Sequence, residues 1–208
     1  DDVYGFNFCA HNGTIYPHPH GTHVAGTVGA VNNNGIGVCG VAGGDGTPNS
    51  GVKLMSCQTY DSRQSVDKGD FAAALIYAAD MGATIAQCSW SWADPDYYEA
   101  DVLDAVGYFT SAARSNNMTG GLCFFAAGNE AMTGQIYPSC MDEVIAVAAL
   151  ACDLTPAPYS NYGSWVDVVA PGGYQDFNQA HGVLSTLPND TYGFYDGTSM
   201  ATPHVSGI

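Results

Sequence analysis

The chain has 208 residues, and its 4 Lys+Arg against 20 Asp+Glu leave a formal charge of −16. Four scattered cations, Lys53, Arg63, Lys68 and Arg114, cannot make the basic stripe that nucleic acid needs, nor a polybasic membrane anchor. A hydrophobic share of 46% excludes disorder, and the longest apolar run, Val144 to Cys152, is too short to span a bilayer.

No linker, repeat or low-complexity tract interrupts the sequence, so one domain is expected. The opening stretch, DDVYGFNFCAHNGTIYPHP, shows no apolar strand. From His20 to Val31 the small residues Ala25, Gly26, Gly29 and Ala30 predict a closely packed helix, which Asn32-Asn33-Asn34-Gly35 breaks. Val52 to Thr59 reads as a strand. Asp67 to Met81 reads as a helix with Phe71, Leu75, Ala78 and Ala79 on one face and Gly82 as its stop. Ala83 to Ser89 is a short strand, and Tyr97 to Ser115 a second long helix built on Val102, Val106, Phe109 and Ala113. Gly121 to Ala127 and Glu143 to Leu150 are unbroken apolar runs, as central parallel strands covered on both faces require. Val166 to Ala170 and Val183 to Leu187 are further strands, and a helix begins near Ser199. Strands alternating with helices predict an α/β fold: a mostly parallel central sheet with helices on both faces. Of the seven cysteines, Cys57, Cys88 and Cys123 lie in strand-like runs, where a thiol acts as a small apolar group.

Three segments carry chemistry: His18-Pro-His20-Gly-Thr-His23, Phe125-Ala-Ala-Gly128-Asn129-Glu130, and Gly197-Thr-Ser199-Met-Ala-Thr-Pro203-His. Taken singly, each has a plain reading as a structural histidine pair, a turn or an N-cap. Taken together they suit nucleophilic acyl transfer, which needs a hydroxyl, a neutral imidazole and donors aimed at a developing oxyanion. Ser199 at a helix start offers its own N–H and the helix dipole. Asn129 beyond a strand's carboxyl end offers an amide, and His20 the base.

These segments resemble the subtilisin-like serine proteases. HGTHVAGTVGAVNNNGIGVCGVA matches that family's histidine segment, AAGNE its oxyanion segment and GTSMATPHVSG its serine segment. EVIAVAA, VDVVAPG and STLPNDTYGFYDGTSMA match between them. The resemblance implies a serine endopeptidase with His20 as base, Ser199 as nucleophile and Asn129 as oxyanion donor beside the Ser199 N–H. His23 and His204 are expected to be structural, and Met200 to be sensitive to oxidation. The family's third catalytic member is an Asp on an earlier strand. Asp1 and Asp2 are poor substitutes, so that Asp is expected upstream of residue 1, with further helices beyond Ile208. The chain is then a catalytic-domain fragment, truncated at both ends, whose lack of the Asp costs activity. The resemblance also implies a peptide or protein substrate, an N-terminal prosegment, a monomer, and a secreted, cell-surface or periplasmic location.

In the family the peptide adds as a strand along exposed edges. Ser89, Trp90 and Ser91 match one wall of the specificity pocket, and Ala127 and Gly128 the other. Ser91 and Trp92 depart from the commoner glycine-bearing pattern; the second Trp favours apolar side chains, unless it only covers a strand. Val31, Asn33, Ile36 and Val38 match a calcium loop, whose carbonyls and amide are suitable oxygen ligands for structural calcium. An ordinary turn is the alternative. No cofactor is expected for catalysis.

Two other classes compete. His18, His20 and His23 have the spacing of a zinc metallohydrolase signature, although Thr22 stands where that signature needs Asp. A subtilase-fold pseudoprotease or peptide-binding module is the other reading, and the presence of His20, Asn129 and Ser199 together argues against it.

Overall fold

The computed structural model describes residues 5–61, 63, 68–113, 118–176 and 178–208. Asp1 and Asp2, Arg114, and the predicted helix ends at Asp67 and Ser115 lie outside the described residues. In chain order the first elements are β1 (Gly5–Asn7), α1 (Pro19–Gly29), β2 (Ser56–Gln58), α2 (Phe71–Asp80), β3 (Ile85–Cys88) and α3 (Ala100–Ala112). Then follow β4 (Leu122–Ala126), β5 (Val144–Leu150), β6 (Val168–Pro171), a 3-10 turn (Gln179–His181), β7 (Val183–Leu187), β8 (Thr191–Tyr195) and α4 (Thr198–Ser206).

Backbone contacts divide the chain into two compact units. The first comprises Asp1–His18, Leu54–Ala86 and Tyr98–Cys123. In it β1 and β2 pair in parallel, Phe6 opposite Cys57. The presence of β1 corrects the expectation that no strand precedes His20. Its three residues are too few for a sequence period, and the strand rests on its partner β2. Asn7 in β1 is fully buried, with Oδ1 accepting from the Cys9 and Ala10 amides at 3.0 and 2.9 Å. Helices α2 and α3 bury the faces read from the sequence, including Phe71, Leu75, Val102, Val106 and Phe109. Helix α2 starts at Phe71 because Asp70 caps it, accepting from Ala73 N at 2.7 Å.

The second unit comprises Pro19–Lys53, Gln87–Tyr97 and Phe124–Ile208. In it β5 and β6 pair in parallel, Val147 opposite Val168. The core joins Phe124, Val147, Ala149, Ala157, Ala170 and Ala201, with Val205 and Tyr159 packed on it. Alanines on facing surfaces let α4 lie close to β5 and β6. Strand β8, absent from the sequence reading, closes an antiparallel hairpin with β7. Asn189 and Asp190 in its loop take left-handed backbone at φ 64° and 57°, a conformation these two residue types tolerate. The elements alternate as predicted, which makes the fold α/β. Cys123 lies buried in β4, and burial pushes its thiol up to about 12, in keeping with an apolar filler.

Candidate active site

Every part of the site lies in the second unit. Pro19 opens α1, where a missing N–H costs nothing, and His20 follows it. Side chains of β7 hold the helix. Ser185 Oγ donates to His23 O at 2.7 Å and Thr186 Oγ1 to Thr22 O at 2.9 Å. The approach is so close that a Cβ on Gly26 would stand 2.2 Å from Thr186 Oγ1.

His23 lies one turn after His20 on the same helix. It is fully buried and stacked on Tyr195 with centroids 4.7 Å apart. Its Nε2 lies 2.9 Å from Val183 O and 3.2 Å from Gly193 O, so that nitrogen carries the proton. Burial lowers its pKa below the ordinary histidine value, with the two carbonyls opposing. A ring so enclosed is a packing histidine, which corrects the zinc reading of His18, His20 and His23. No group of three or more His, Cys, Asp or Glu among the described residues could hold a metal ion.

Ser199 is the second residue of α4, in the first turn, where backbone N–H groups have no acceptor within the helix. Four residues on, Pro203 has no N–H to give the Ser199 carbonyl. Ser89 fills the gap, its hydroxyl donating to Ser199 O at 2.6 Å. In return, Ser199 Oγ donates to Ser89 O at 3.0 Å. A reciprocal pair of bonds therefore ties the two serines together. Ahead of them, Gly197 takes φ 145°, and its N–H donates to Tyr159 Oη at 2.9 Å.

Asn129 follows β4 by three residues, on a turn that Gly128 makes at φ 95°. Its Oδ1 accepts from both the backbone N and the Oγ1 of Thr198, each at 2.9 Å. Thr198 Oγ1 in turn accepts from Gly128 N at 3.2 Å. With Oδ1 so engaged, Nδ2 is the amide edge left to donate to something else. Thr198 is fully buried, and the sequence reading gave it no role. Its place between Gly197 and Ser199 was visible, but its partner was not.

His20, Asn129 and Ser199 line one cleft of about 300 Å³ with Tyr195, Asp196 and Met200. Met200 keeps only 2% of its surface exposed. Asp196 brings a carboxylate that sequence reasoning missed, held by Gln175 N at 3.0 Å. Hydroxyl, imidazole and amide donor meet in this cleft, the set that acyl transfer uses.

The remaining candidates are not among the residues that line that cleft. Trp90 packs edge-on against Phe125 at 5.0 Å and against Trp92 at 5.6 Å, and Trp92 against Tyr97 at 5.6 Å. Ser91 sits half-buried between the two tryptophans. Ala127 is fully buried, its N–H donating to Val147 O at 2.9 Å. The loop of Val31, Asn33, Ile36 and Val38 follows α1. In it Asn33 Nδ2 donates to Asp45 O at 2.8 Å and Asn32 Nδ2 to Gly44 O at 2.9 Å. Asn32 Oδ1 is buried there without a protein partner. That orphaned amide oxygen is of the ligand type a hard cation takes.

A family model described as the subtilase family matches residues 11–208. The chain is 36% identical to a thermophilic serine proteinase of Bacillus sp. (strain AK1), over 91% of its own length and 41% of that protein. It is 34% identical to thermitase of Thermoactinomyces vulgaris, over 91% of its length and 59% of the other. Among solved structures, a protease from Pseudoalteromonas arctica PAMC 21717 superposes with a TM-score of 0.72 at 33% identity, covering 99% of this chain and 61% of that one. The chain thus spans about two fifths to three fifths of these relatives. On the family match over residues 11–208, the chain belongs to the subtilase family.

Proposed function

We propose that the protein is a serine endopeptidase in which Ser199 is the nucleophile, His20 the base and Asn129 an oxyanion donor. The observation that carries this reading is the pinned amide of Asn129. Thr198 occupies its Oδ1, which leaves Nδ2 to bond an oxyanion in the cleft shared with Ser199 and His20. The reaction starts when the Ser199 hydroxyl hydrogen turns from Ser89 O to His20. Oγ then attacks the peptide carbonyl as the imidazole takes the proton. Charge collects on the former carbonyl oxygen between Asn129 Nδ2 and the Ser199 N–H, where the α4 dipole also favours it. The imidazolium returns its proton to the leaving amine, and water repeats the sequence on the acyl ester.

The carboxylate that orients His20 is proposed to come from outside residues 1–208. Its loss costs about 10⁴ in kcat in serine proteases of the same mechanism. Peptide or protein chains are the substrate class, with the Trp90–Trp92 face favouring apolar side chains beside the cleft. Working outside the cytoplasm, with an N-terminal prosegment, completes the proposal. No helix among the described residues is long and apolar enough to cross a membrane. Structural calcium in the 31–38 loop would be held by the carbonyls of Val31, Ile36 and Val38 and the Asn33 amide oxygen. It would stabilise the loop and take no part in catalysis.

In the full-length protein, Ser199→Ala is expected to abolish casein hydrolysis and labelling by a fluorophosphonate while the far-UV CD spectrum stays unchanged. Retained hydrolysis overturns the assignment of the nucleophile. Absence of both activity and labelling in the unsubstituted protein favours a peptide-binding module instead.

A further inference from the structure

Asn129 is tied to Thr198 on one side, but the loop that carries it needs its own support. That loop leaves β4 at Ala126, turns at Gly128 and passes Glu130 and Met132. Asn161, 32 positions further along the sequence from Asn129, is fully buried beneath it. Four side-chain bonds and one backbone bond join Asn161 to this loop. Nδ2 donates to Ala127 O at 2.9 Å and to Glu130 Oε2 at 2.7 Å. Oδ1 accepts from Glu130 N and from Met132 N, both at 3.1 Å. The Asn161 N–H donates to Gly128 O at 3.0 Å.

The amide thus uses both donor hydrogens and both acceptor lone pairs on residues to either side of Asn129. No other side-chain type of this size offers two donors and two acceptors on a planar fork. Gly128 completes the fit, because a Cβ there would lie 2.4 Å from Asn161 Nδ2 and 2.6 Å from Glu130 Oε2. Oxyanion donors act by being fixed before charge develops. A loop free to relax by a few tenths of an ångström would weaken that donor.

We propose that Asn161, with Glu130, is a positioning residue for catalysis: its buried amide holds the 127–132 loop so that Asn129 Nδ2 stands ready for the oxyanion. This rests on the peptidase reading above.

The test compares the full-length protein with Asn161→Ser, Asn161→Asp and Asn161→Asp/Glu130→Gln. Asn161→Asp sets a second carboxylate against Glu130 and removes the donor to Ala127 O. Adding Glu130→Gln returns a donor to that contact. For the single substitutions on a peptide anilide, kcat should fall about 10-fold to 100-fold, less than the 10²–10³ of deleting an oxyanion donor outright. KM should rise by less than kcat falls, because Ala127 and Gly128 of the same loop also match a wall of the specificity pocket while the oxyanion contact is made only as charge develops. The double substitution should recover part of the lost kcat, since the donor to Ala127 O stays absent. Amide hydrogen exchange at Glu130 and Met132 should accelerate in the single variants and slow again in the double, with Val147 unchanged. A lowered Tm with unaltered kcat shows a merely structural residue and overturns the proposal. So does a double variant no better than Asn161→Asp. If the unsubstituted protein neither hydrolyses peptide nor takes a phosphonate on Ser199, the peptidase reading fails. Exchange at Glu130 and Met132 then decides the loop clamp separately, and unchanged protection in the variants overturns it.

Discussion

Pro203 and Ser89 should be energetically coupled through one carbonyl. In an uninterrupted helix the N–H of residue 203 would bond Ser199 O, but proline has none. Ser89 Oγ takes that place at 2.6 Å. Ser89→Ala removes the donor and leaves a half-buried carbonyl poorly satisfied, at a cost of about 1–3 kcal/mol. For a chain of this size that corresponds to a Tm drop of about 2–12 °C. The same change in a Pro203→Ala background should cost less, because the restored backbone N–H of residue 203 now reaches Ser199 O. The two substitutions should therefore show a coupling of about 1 kcal/mol in a double-mutant cycle, within the range found for residues sharing a partner. Urea unfolding of the four proteins measures it. Additive effects would refute the reasoning, since they would mean that the Ser199 carbonyl is satisfied elsewhere. Activity supplies a second readout. The hydroxyl of Ser199 rests on the Ser89 backbone carbonyl at 3.0 Å, which the substitution retains, so KM should move less than stability does.

Three further outcomes follow from the same geometry. Thr198→Val keeps the backbone bond to Asn129 Oδ1 but loses the hydroxyl that links Gly128 N to it; kcat should fall about tenfold, the worth of roughly one hydrogen bond, with little change in KM. An unchanged kcat would show that the backbone bond alone orients the amide. Burial lowers the pKa of both His23 and His204, so their stabilisation is complete above the unfolded value of 6.5 and is lost as pH falls below it. Urea midpoints at pH 7.5 and 5.5 should therefore differ, the lower pH being less stable, and His23→Gln should shrink the difference. Chelation by EDTA should lower Tm, and calcium at 100 times its Kd should restore about 2.7 kcal/mol; equal melting with and without calcium would leave the 31–38 loop an ordinary turn.

The sequence was most informative where the chemistry is local. Pro203 lies four residues from Ser199, so the unpaired carbonyl was derivable from helix geometry, although the donor that meets it was not. The starts of α1 and α4 were legible for the same reason, with His20 and Ser199 each the second residue of its helix. Strand β1 was not, since three residues give no period and the strand exists through its pairing with Ser56–Gln58. Strand β8 was hidden differently: Thr191–Tyr195 is partly exposed throughout, so no alternation of apolar and polar residues marks it. Its turn residues, Asn189 and Asp190, were the available signal.

The groups that hold the candidate site together are long-range, and that explains why the candidate residues were legible in the sequence and their supports were not. Thr198 meets Asn129 across 69 positions, Ser89 meets Ser199 across 110, and Ser185 meets His23 across 162. None of these spacings has a period or a propensity behind it. Each support is nevertheless a small polar side chain satisfying one stranded backbone or amide group. A buried Asn, Ser or Thr beside a reactive residue is costly unless every polar atom finds a partner. Where such a side chain meets that demand with atoms of the reactive loop, as Asn161 does, its own hydrogen bonding and the placement of the loop become a single constraint.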